Sequence, residues 1–479
     1  MNALTQSLAR ESPRISPRPV PASAYLIALA GAVLFVLLTW QAFLRVGLAG
    51  WSVGLVYIFY DTALLAFTGR KIGGIVRPAE DAPAPSLPEP TLGVVIAAHN
   101  EATVLEVTID HLLAQARPPE LILIADDGSS DATAEVLGTR YGLAPPALGA
   151  MSGPAPAEPR LRWLRLPHGG KARALNQAIQ WLDTELVVTI DADTLVDPGA
   201  LGAMRGAFAA DPALVAATGV LKPICGPGLK GRFFEWFQRY EYVRNFLSRY
   251  AWGRVNSLLL VSGAFGVYRR QALLDVGGFD PVCLVEDYEL IHRLHRHSAD
   301  HGLGWHVAVI GAATARTDAP ASFLGFLKQR RRWFGGYLQT QYWNRDMIGN
   351  AHFGALGRAH MPVKTLDTLQ PIYGLTAFCV LIGLLVTGRL FVASAVLAVM
   401  LAKVSIDLAY HLWSIRLYTR WTGQSEGLGL GQAVLASLLE PFTFQLLRHL
   451  GALWGWHAFL TGRETWGWQQ RTAISAIKG

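Results

Sequence analysis

Apolar positions fall into two regimes along this chain. At both ends they form long unbroken runs; between about residues 91 and 360 they recur as short runs separated by polar clusters. Ala24 to Phe43 is 20 residues without a charged side chain, enough to cross a hydrocarbon core of about 30 Å at about 1.5 Å per residue. Gly54 to Thr68 is a second, weaker run whose one charged side chain is Asp61. After residue 370 come Pro371 to Gly388, Leu390 to Leu412, and an apolar region from Leu428 to Leu460 interrupted at Pro441. The pattern predicts two membrane helices, an inserted water-soluble domain, and further membrane helices.

Within the insert the period changes. Leu92 to Ala97 reads as a short strand and Thr103 to Gln115 as a helix. Leu121 to Ala125 is a second strand, followed by a helix from Asp131 towards Arg140. Leu161 to Leu166, Lys171 to Leu182 and Leu186 to Ile190 continue as strand, helix and strand. Alternating βα units imply a mostly parallel, Rossmann-like sheet, with ligands beyond the carboxyl ends of its strands. Ala144 to Pro159 reads as a surface loop, and the Pro/Ala-rich residues 78–90 as a linker.

Composition sharpens this. Hydrophobic residues make up 51% of the 479 and charged residues 16%, too apolar for a soluble protein of this size. Cys225, Cys283 and Cys379 are too few and scattered for a disulfide framework or zinc site. The net charge of +7 lacks a basic tract interleaved with aromatics, so no nucleic acid partner is expected; anionic lipid headgroups and a phosphorylated substrate suit it better. Arg10, Arg14 and Arg18 before the first span place the N-terminus in the cytoplasm by the positive-inside rule, and two spans return the insert there.

The candidate chemistry lies where strands end. Val187, Val188 and Ile190 lead into Asp191-Ala192-Asp193; along an extended chain alternate residues point the same way, so the two carboxylates would converge on Mg²⁺ or Mn²⁺. Ala97, His99-Asn100-Glu101 and Asp126-Asp127-Gly128-Ser129 follow the first two strands, as helix-capping turns or as a nucleotide pocket. Gly169-Gly170-Lys171 precedes a helix, where glycine N–H groups can approach an anion. Val261 to Phe265 reads as an apolar strand ending in small residues, and Glu286-Asp287 opens a helix, as dipole partners or as a general base. Gln329-Arg330-Arg331-Arg332-Trp333 lies on a helix from Phe323 to Tyr342, as an interfacial amphipath or a diphosphate and sugar contact.

Asp127, Asp191-Ala-Asp193, Glu286-Asp287 and Gln329-Arg-Arg-Arg332-Trp333 stand in the order of the D, D-x-D, E-D, Q-x-x-R-W series. The chain therefore resembles membrane-embedded family 2 glycosyltransferases such as cellulose, hyaluronan and poly-N-acetylglucosamine synthases, over about residues 91 to 345. The resemblance implies an α/β GT-A-like cytosolic domain inserted between α-helical transmembrane segments. It implies that Asp127 contacts uracil, that Asp191 and Asp193 hold metal and diphosphate, that Asp287 activates the acceptor hydroxyl, and that Gln329, Arg332 and Trp333 line the acceptor end. His99 replaces the usual aromatic, and Val285 a threonine. Leu460 to Arg471 is similar to the tail of osmoregulated periplasmic glucan synthases, where Arg463, Trp466 and Arg471 would cover the active site; interfacial anchoring is the alternative.

The expected organisation is a cytosolic segment (1–23), two transmembrane helices (24–77), the linker (78–90), the transferase domain (91–320), interfacial helices (321–369), C-terminal transmembrane helices (370–460) and a tail (461–479). The expected activity is inverting transfer from UDP-glucose or UDP-N-acetylglucosamine to a β-linked polysaccharide at the inner (plasma) membrane, processive and coupled to export, with export or accessory subunits as further partners. A single-addition transferase with a lipid acceptor, similar to ceramide glucosyltransferase, and an inactive membrane scaffold are the alternatives. Lys403 and Asp407 are spaced to pair within one span; Glu440, Trp454 and Trp456 are candidates to line a glycan passage.

Overall fold

The computed structural model describes residues 3–44, 48–75, 88–423, 429–462 and 474. Arg463, Trp466 and Arg471 lie outside these described residues.

The insert is built on a single sheet. Among the described residues it has eight strands: β1 (Leu92–Ala98), β2 (Leu121–Asp127), β3 (Leu161–Leu166), β4 (Leu186–Asp191), β5 (Thr194–Val196), β6 (Leu214–Ile224), β7 (Phe265–Arg269) and β8 (His306–Asp318), in the order β3-β2-β1-β4-β7-β6-β8-β5. Strands β3, β2, β1 and β4 are parallel neighbours, as are β6 and β8, while β7 runs antiparallel between β4 and β6. The mostly parallel α/β expectation is borne out. Val94, Val95 and Ile96, and Ile122, Leu123 and Ile124, are wholly buried. Consecutive strand residues face opposite sides, so such runs need cover on both. Helices Lys171–Gln180, against β1 and β2, and Ala200–Ala210, against β6 and β8, contribute to it.

Two local expectations are corrected. Residues 261–264 are not a strand; β7 begins at Phe265, paired with Ile190 of β4. Because β7 is antiparallel, its beginning lies at the sheet rim, so the small residues precede the strand and still reach the rim. Asp191-Ala192-Asp193 is not an extended run either. Asp191 ends β4, and residues 192–193 turn into β5. The turn makes the carboxylates unequal: the Asp191 side chain is 30% exposed, whereas Asp193 is 2% exposed.

Among the described residues, Ala22–Ala42, Leu48–Ile72 and Leu390–Thr422 are helical, long and apolar enough to cross a membrane; two bent pairs, Leu356–Asp367 with Gln370–Val386 (43°) and Leu430–Phe442 with Phe444–Thr461 (45°), bring the total to five if each is one span. The last helix carries Gly451 and Gly455, a spacing that lets helices approach closely. A methyl at Gly451 would lie 2.5 Å from Arg330 Cβ, and one at Gly455 would lie 3.0 Å from the Arg331 carbonyl oxygen. The helix Phe323–Trp343 is thus packed onto an apolar helix rather than simply laid on a surface. At the other end of the chain, Arg14 forms a two-pronged pair with Asp280 (2.9 and 3.1 Å) and Arg18 pairs with Asp300. These contacts put the N-terminal segment on the same side as the sheet domain.

Candidate active site

Strand register sets the frame. Ala97 is paired with Asp191 on one side of β1, and Ala98 with Asp126 on the other. Two strand spacings of about 4.8 Å therefore separate the ends of β2 and β4 by about 10 Å. The rim has two charged stations, one beyond β2 and β3 and one beyond β4.

At the first station the carboxylates face inward. Asp126 accepts from Ser129 N (2.8 Å) and Trp163 Nε1 (3.1 Å). Asp127 accepts from Gly169 N (2.7 Å) and Gly170 N (2.9 Å). This corrects the expected anion cradle: the two glycine N–H groups are taken by Asp127, because parallel β2 and β3 release their loops side by side. Gly170 adopts φ +93°, a conformation a side chain would strain. Asn100, at φ 58°, ties the two turns together, its Oδ1 accepting from Ser130 N and Asp131 N. The Glu101 carbonyl accepts from Val104 N and Leu105 N at the start of the following helix. The rim surface left more accessible is Ala97, His99, Asn100 and His168.

At the second station a cation sits among carboxylates. Lys171 Nζ is bonded to Asp191 Oδ1 and lies 3.6 Å from Glu286 Oε1. Asp287 accepts from Gly263 N (2.8 Å) and from Tyr288 N (2.9 Å). A methyl at Gly263 would sit 3.2 Å from both Asp287 Oδ2 and Lys171 Nζ, so a side chain there would crowd the array. Burial pushes the Glu286 carboxyl above its ordinary pKa, with the charge of Asp287 adding to the effect and Lys171 and Arg332 opposing it. Burial works against the Lys171 ammonium, yet Asp191 and Glu286 outweigh it and raise its pKa. Lys171 thus remains a cation.

The third component comes from the helix Phe323–Trp343. Arg332 Nη1 donates to the Leu284 carbonyl (3.2 Å), two residues before Glu286. Gln329 Oε1 is buried without a hydrogen-bond partner among the described residues. Trp333 lines a cavity of about 640 Å³ between this helix and the apolar helices, together with Trp51, Tyr57, Tyr337, Tyr410 and others. Glu440, Trp454 and Trp456 are not among its lining residues. Glu440 is instead buried against Arg244 and Arg448, which corrects the expected passage wall. Lys403 does pair with Asp407, and also with Asp61 at 2.6 Å.

The sequence reading missed the residues that aim this array. Arg293 grips Glu289 two-pronged and donates to Gly278 O (2.7 Å), fixing the helix Glu286–His301 to the turn before it. Asn176 bonds both the N–H (2.8 Å) and the C=O (2.7 Å) of Phe279, joining the Lys171 helix to the same turn. The available signal was the i, i+4 spacing of Glu289 and Arg293. His168 was missed as well: among the described residues, the one group of three side chains able to converge on a metal is His99, Asp127 and His168, and it includes neither Asp191 nor Asp193.

The sheet is mostly parallel, with its acidic and basic side chains gathered beyond the carboxyl ends of the strands, where ligands of such α/β folds sit. A family profile described as "Glycosyltransferase like family 2" matches residues 88–336, more than half of the chain, and the chain belongs to that family. It is similar to poly-beta-1,6-N-acetyl-D-glucosamine synthases: 27% identical over 339 residues to that of Staphylococcus aureus (strain COL), covering 70% of this chain and 71% of the relative, and 28% identical over 260 residues to that of Staphylococcus epidermidis, covering 53% and 56%. In fold it is similar to a mannosyltransferase from Pyrobaculum calidifontis solved in complex with GDP-Man and Mn²⁺, with a TM-score of 0.55, 19% identity, and 82% of this chain and 99% of that one covered. The protein is a family 2 glycosyltransferase, similar to polysaccharide synthases.

Proposed function

We propose that the chain transfers a sugar from a UDP-sugar, with inversion, to a growing β-linked polysaccharide and feeds the product into the cavity between its apolar helices. The relatives' names favour N-acetylglucosamine as the sugar. The observation that carries the reading is one helix turn: Arg332 is anchored to the segment entering Glu286 and Asp287, while the adjacent Trp333 lines the cavity.

In this mechanism Asp287, oriented by Gly263 N–H and Tyr288 N–H, takes the proton of the acceptor hydroxyl as its oxygen attacks the anomeric carbon from the face opposite the diphosphate. The bond from that carbon to the diphosphate oxygen breaks, and UDP departs with the electron pair. Lys171 and Arg332 balance the charge that accumulates there. The partly exposed carboxylate of Asp191 and the buried one of Asp193 are the hard oxygen donors that would take Mg²⁺ or Mn²⁺; when bound, the ion would supply Lewis-acid neutralisation of the diphosphate. Ala97, at the end of β1 beside Asp191, leaves room for the ligand; the inward Asp126 and Asp127 shape the base end. Trp333, which lines the cavity, offers an aromatic face to a sugar ring. The donor side is cytoplasmic, shared with Arg14 and Arg18.

A lipid acceptor is the second reading, and charge balance in the cavity weighs against a charged one. Lys403 is matched by Asp61 and Asp407, Lys364 by Asp367 (2.8 Å), and Arg330 by Glu241 (2.7 and 2.8 Å). A neutral glycan fits such a lining better than a lipid phosphate does. The test is incubation of the membrane-reconstituted protein with a panel of labelled UDP-sugars, followed by size and linkage analysis. Long β-linked chains from one donor are expected. A single sugar on a lipid would replace the polymerase reading with the second one.

A further inference from the structure

Two histidines flank Asp127 in a way the transfer chemistry does not use. The His99 and His168 rings stack with centroids 4.3 Å apart and 29° between planes. His168 Nδ1 lies 2.9 Å from Asp127 Oδ2, and His99 Nδ1 lies 2.8 Å from the Asp127 carbonyl oxygen. One ligand atom of each of the three residues lies within 4.8 Å of the other two. Around a tetrahedral zinc, with bonds of about 2.0–2.2 Å, ligand atoms stand about 3.3 Å apart. His168 Nδ1 and Asp127 Oδ2 already stand 2.9 Å apart, the His168 side chain is 65% exposed and has room to turn, and a metal would take one His99 ring nitrogen from its hydrogen bond to the Asp127 carbonyl or from its contact with Asn100 Nδ2 (3.2 Å). Asp127 is already fixed by Gly169 N and Gly170 N, yet a carboxylate has about four lone-pair sites, so it can hold the glycines and a metal together.

The donor set decides which ion. Two imidazoles and one carboxylate select zinc and its first-row neighbours, whereas Mg²⁺ prefers oxygen donors and bound water. We infer that His99, Asp127 and His168 form a zinc-type transition-metal site, separate from Asp191 and Asp193, and that its occupation blocks the base end of the donor pocket. The blocking clause rests on the proposed nucleotide reading; the metal site itself does not. Zn²⁺ then inhibits transfer in competition with the UDP-sugar, while Mg²⁺ or Mn²⁺ at the second station does not.

The test titrates the full-length reconstituted protein with ZnCl₂ by calorimetry, and with CoCl₂ followed by its visible d–d absorption, without donor and then with UDP present. Tight Zn²⁺ binding, a tetrahedral Co²⁺ spectrum, and affinity reduced at least tenfold in His168→Ala and in His99→Ala but not in Asp191→Asn are expected. A thermal melt without metal separates loss of the site from loss of the fold: the variants should melt with the wild type and lose only the Zn²⁺-induced rise in Tm. Zn²⁺ affinity indifferent to both histidine variants, or lowered equally in Asp191→Asn, overturns the site. If binding depends on the histidines but UDP does not weaken it, the metal site stands and the placement of the nucleotide base beside Asp127 falls.

Discussion

Two charged regions of the molecule handle their charge in opposite ways. At the β4 rim, Lys171 is shared by Asp191 and Glu286, with Asp287 alongside, so carboxylates exceed the nearest cation. In the cavity between the apolar helices, Lys403 faces Asp61 and Asp407 and Lys364 faces Asp367, while the lining residues Arg244 and Arg448 converge on Glu440 behind them. Unbalanced charge at a partly open rim is suited to a charged ligand and to proton transfer. Balanced charge along a cavity between apolar helices is suited to something polar that must pass without being held. The rim spends fold stability to keep a carboxyl such as Glu286 away from its ordinary ionisation, which is where catalytic groups are found.

The sharpest way to break this contrast is at the proposed base. Asp287→Asn should lower transfer by about 10³-fold or more while nucleotide binding stays within a fewfold, since general-base contributions run to about 10²–10⁴; turnover near that of the wild type would remove Asp287 from the role. Next in size, Glu440→Leu leaves Arg244 and Arg448 facing each other without their carboxylate. Removing one partner of a buried pair costs about 3–5 kcal/mol, which in a chain of 479 residues should lower the melting temperature by about 3–5 °C. An unchanged melt would show that this ionic group is not structural.

A middle-sized effect is expected for Lys171→Met, about 10²-fold in kcat/KM, because Asp191 and Glu286 then lose the cation between them and the diphosphate loses a partner. Added Mg²⁺ should recover part of the loss; full activity without it would show that Lys171 does not serve the diphosphate. Trp333→Ala tests the cavity: polymer length should fall while the first transfer changes by less than about tenfold, in line with a stacking contact worth about 1 kcal/mol. Equal loss of both would place Trp333 in chemistry rather than in passage.

The smallest effect follows from Glu286. Its folded pKa is raised, so the folded state holds a proton that the unfolded chain gives up. Its contribution to stability is therefore full below the ordinary glutamate pKa and is lost as pH rises through the raised value. Glu286→Gln should flatten that part of the melting-temperature profile; a profile identical to that of the wild type would contradict the shift.

Much of this was legible in the chain. Runs such as Val94 to Ile96 announced strands covered on both faces, and the order Asp127, Asp191, Asp287, Arg332 announced the rim, because strand ends follow from local hydrophobic pattern. The strand reading of residues 261–264 failed since an antiparallel strand was inserted into a parallel series, which no local signal marks. The D-x-D turn was misread for a related reason: periodicity cannot say where a strand stops within three residues.

What local pattern settled by itself was therefore the number of regimes, the βα alternation and the list of chemically active residues. Their partners came from packing. Asp127 took the N–H groups of Gly169 and Gly170, Glu440 took Arg244 rather than a glycan, and His168 came to stand against His99, across separations that range from tens to nearly two hundred residues. Such pairings depend on strand register and helix contact, and these are properties of the assembled sheet and bundle rather than of any one segment.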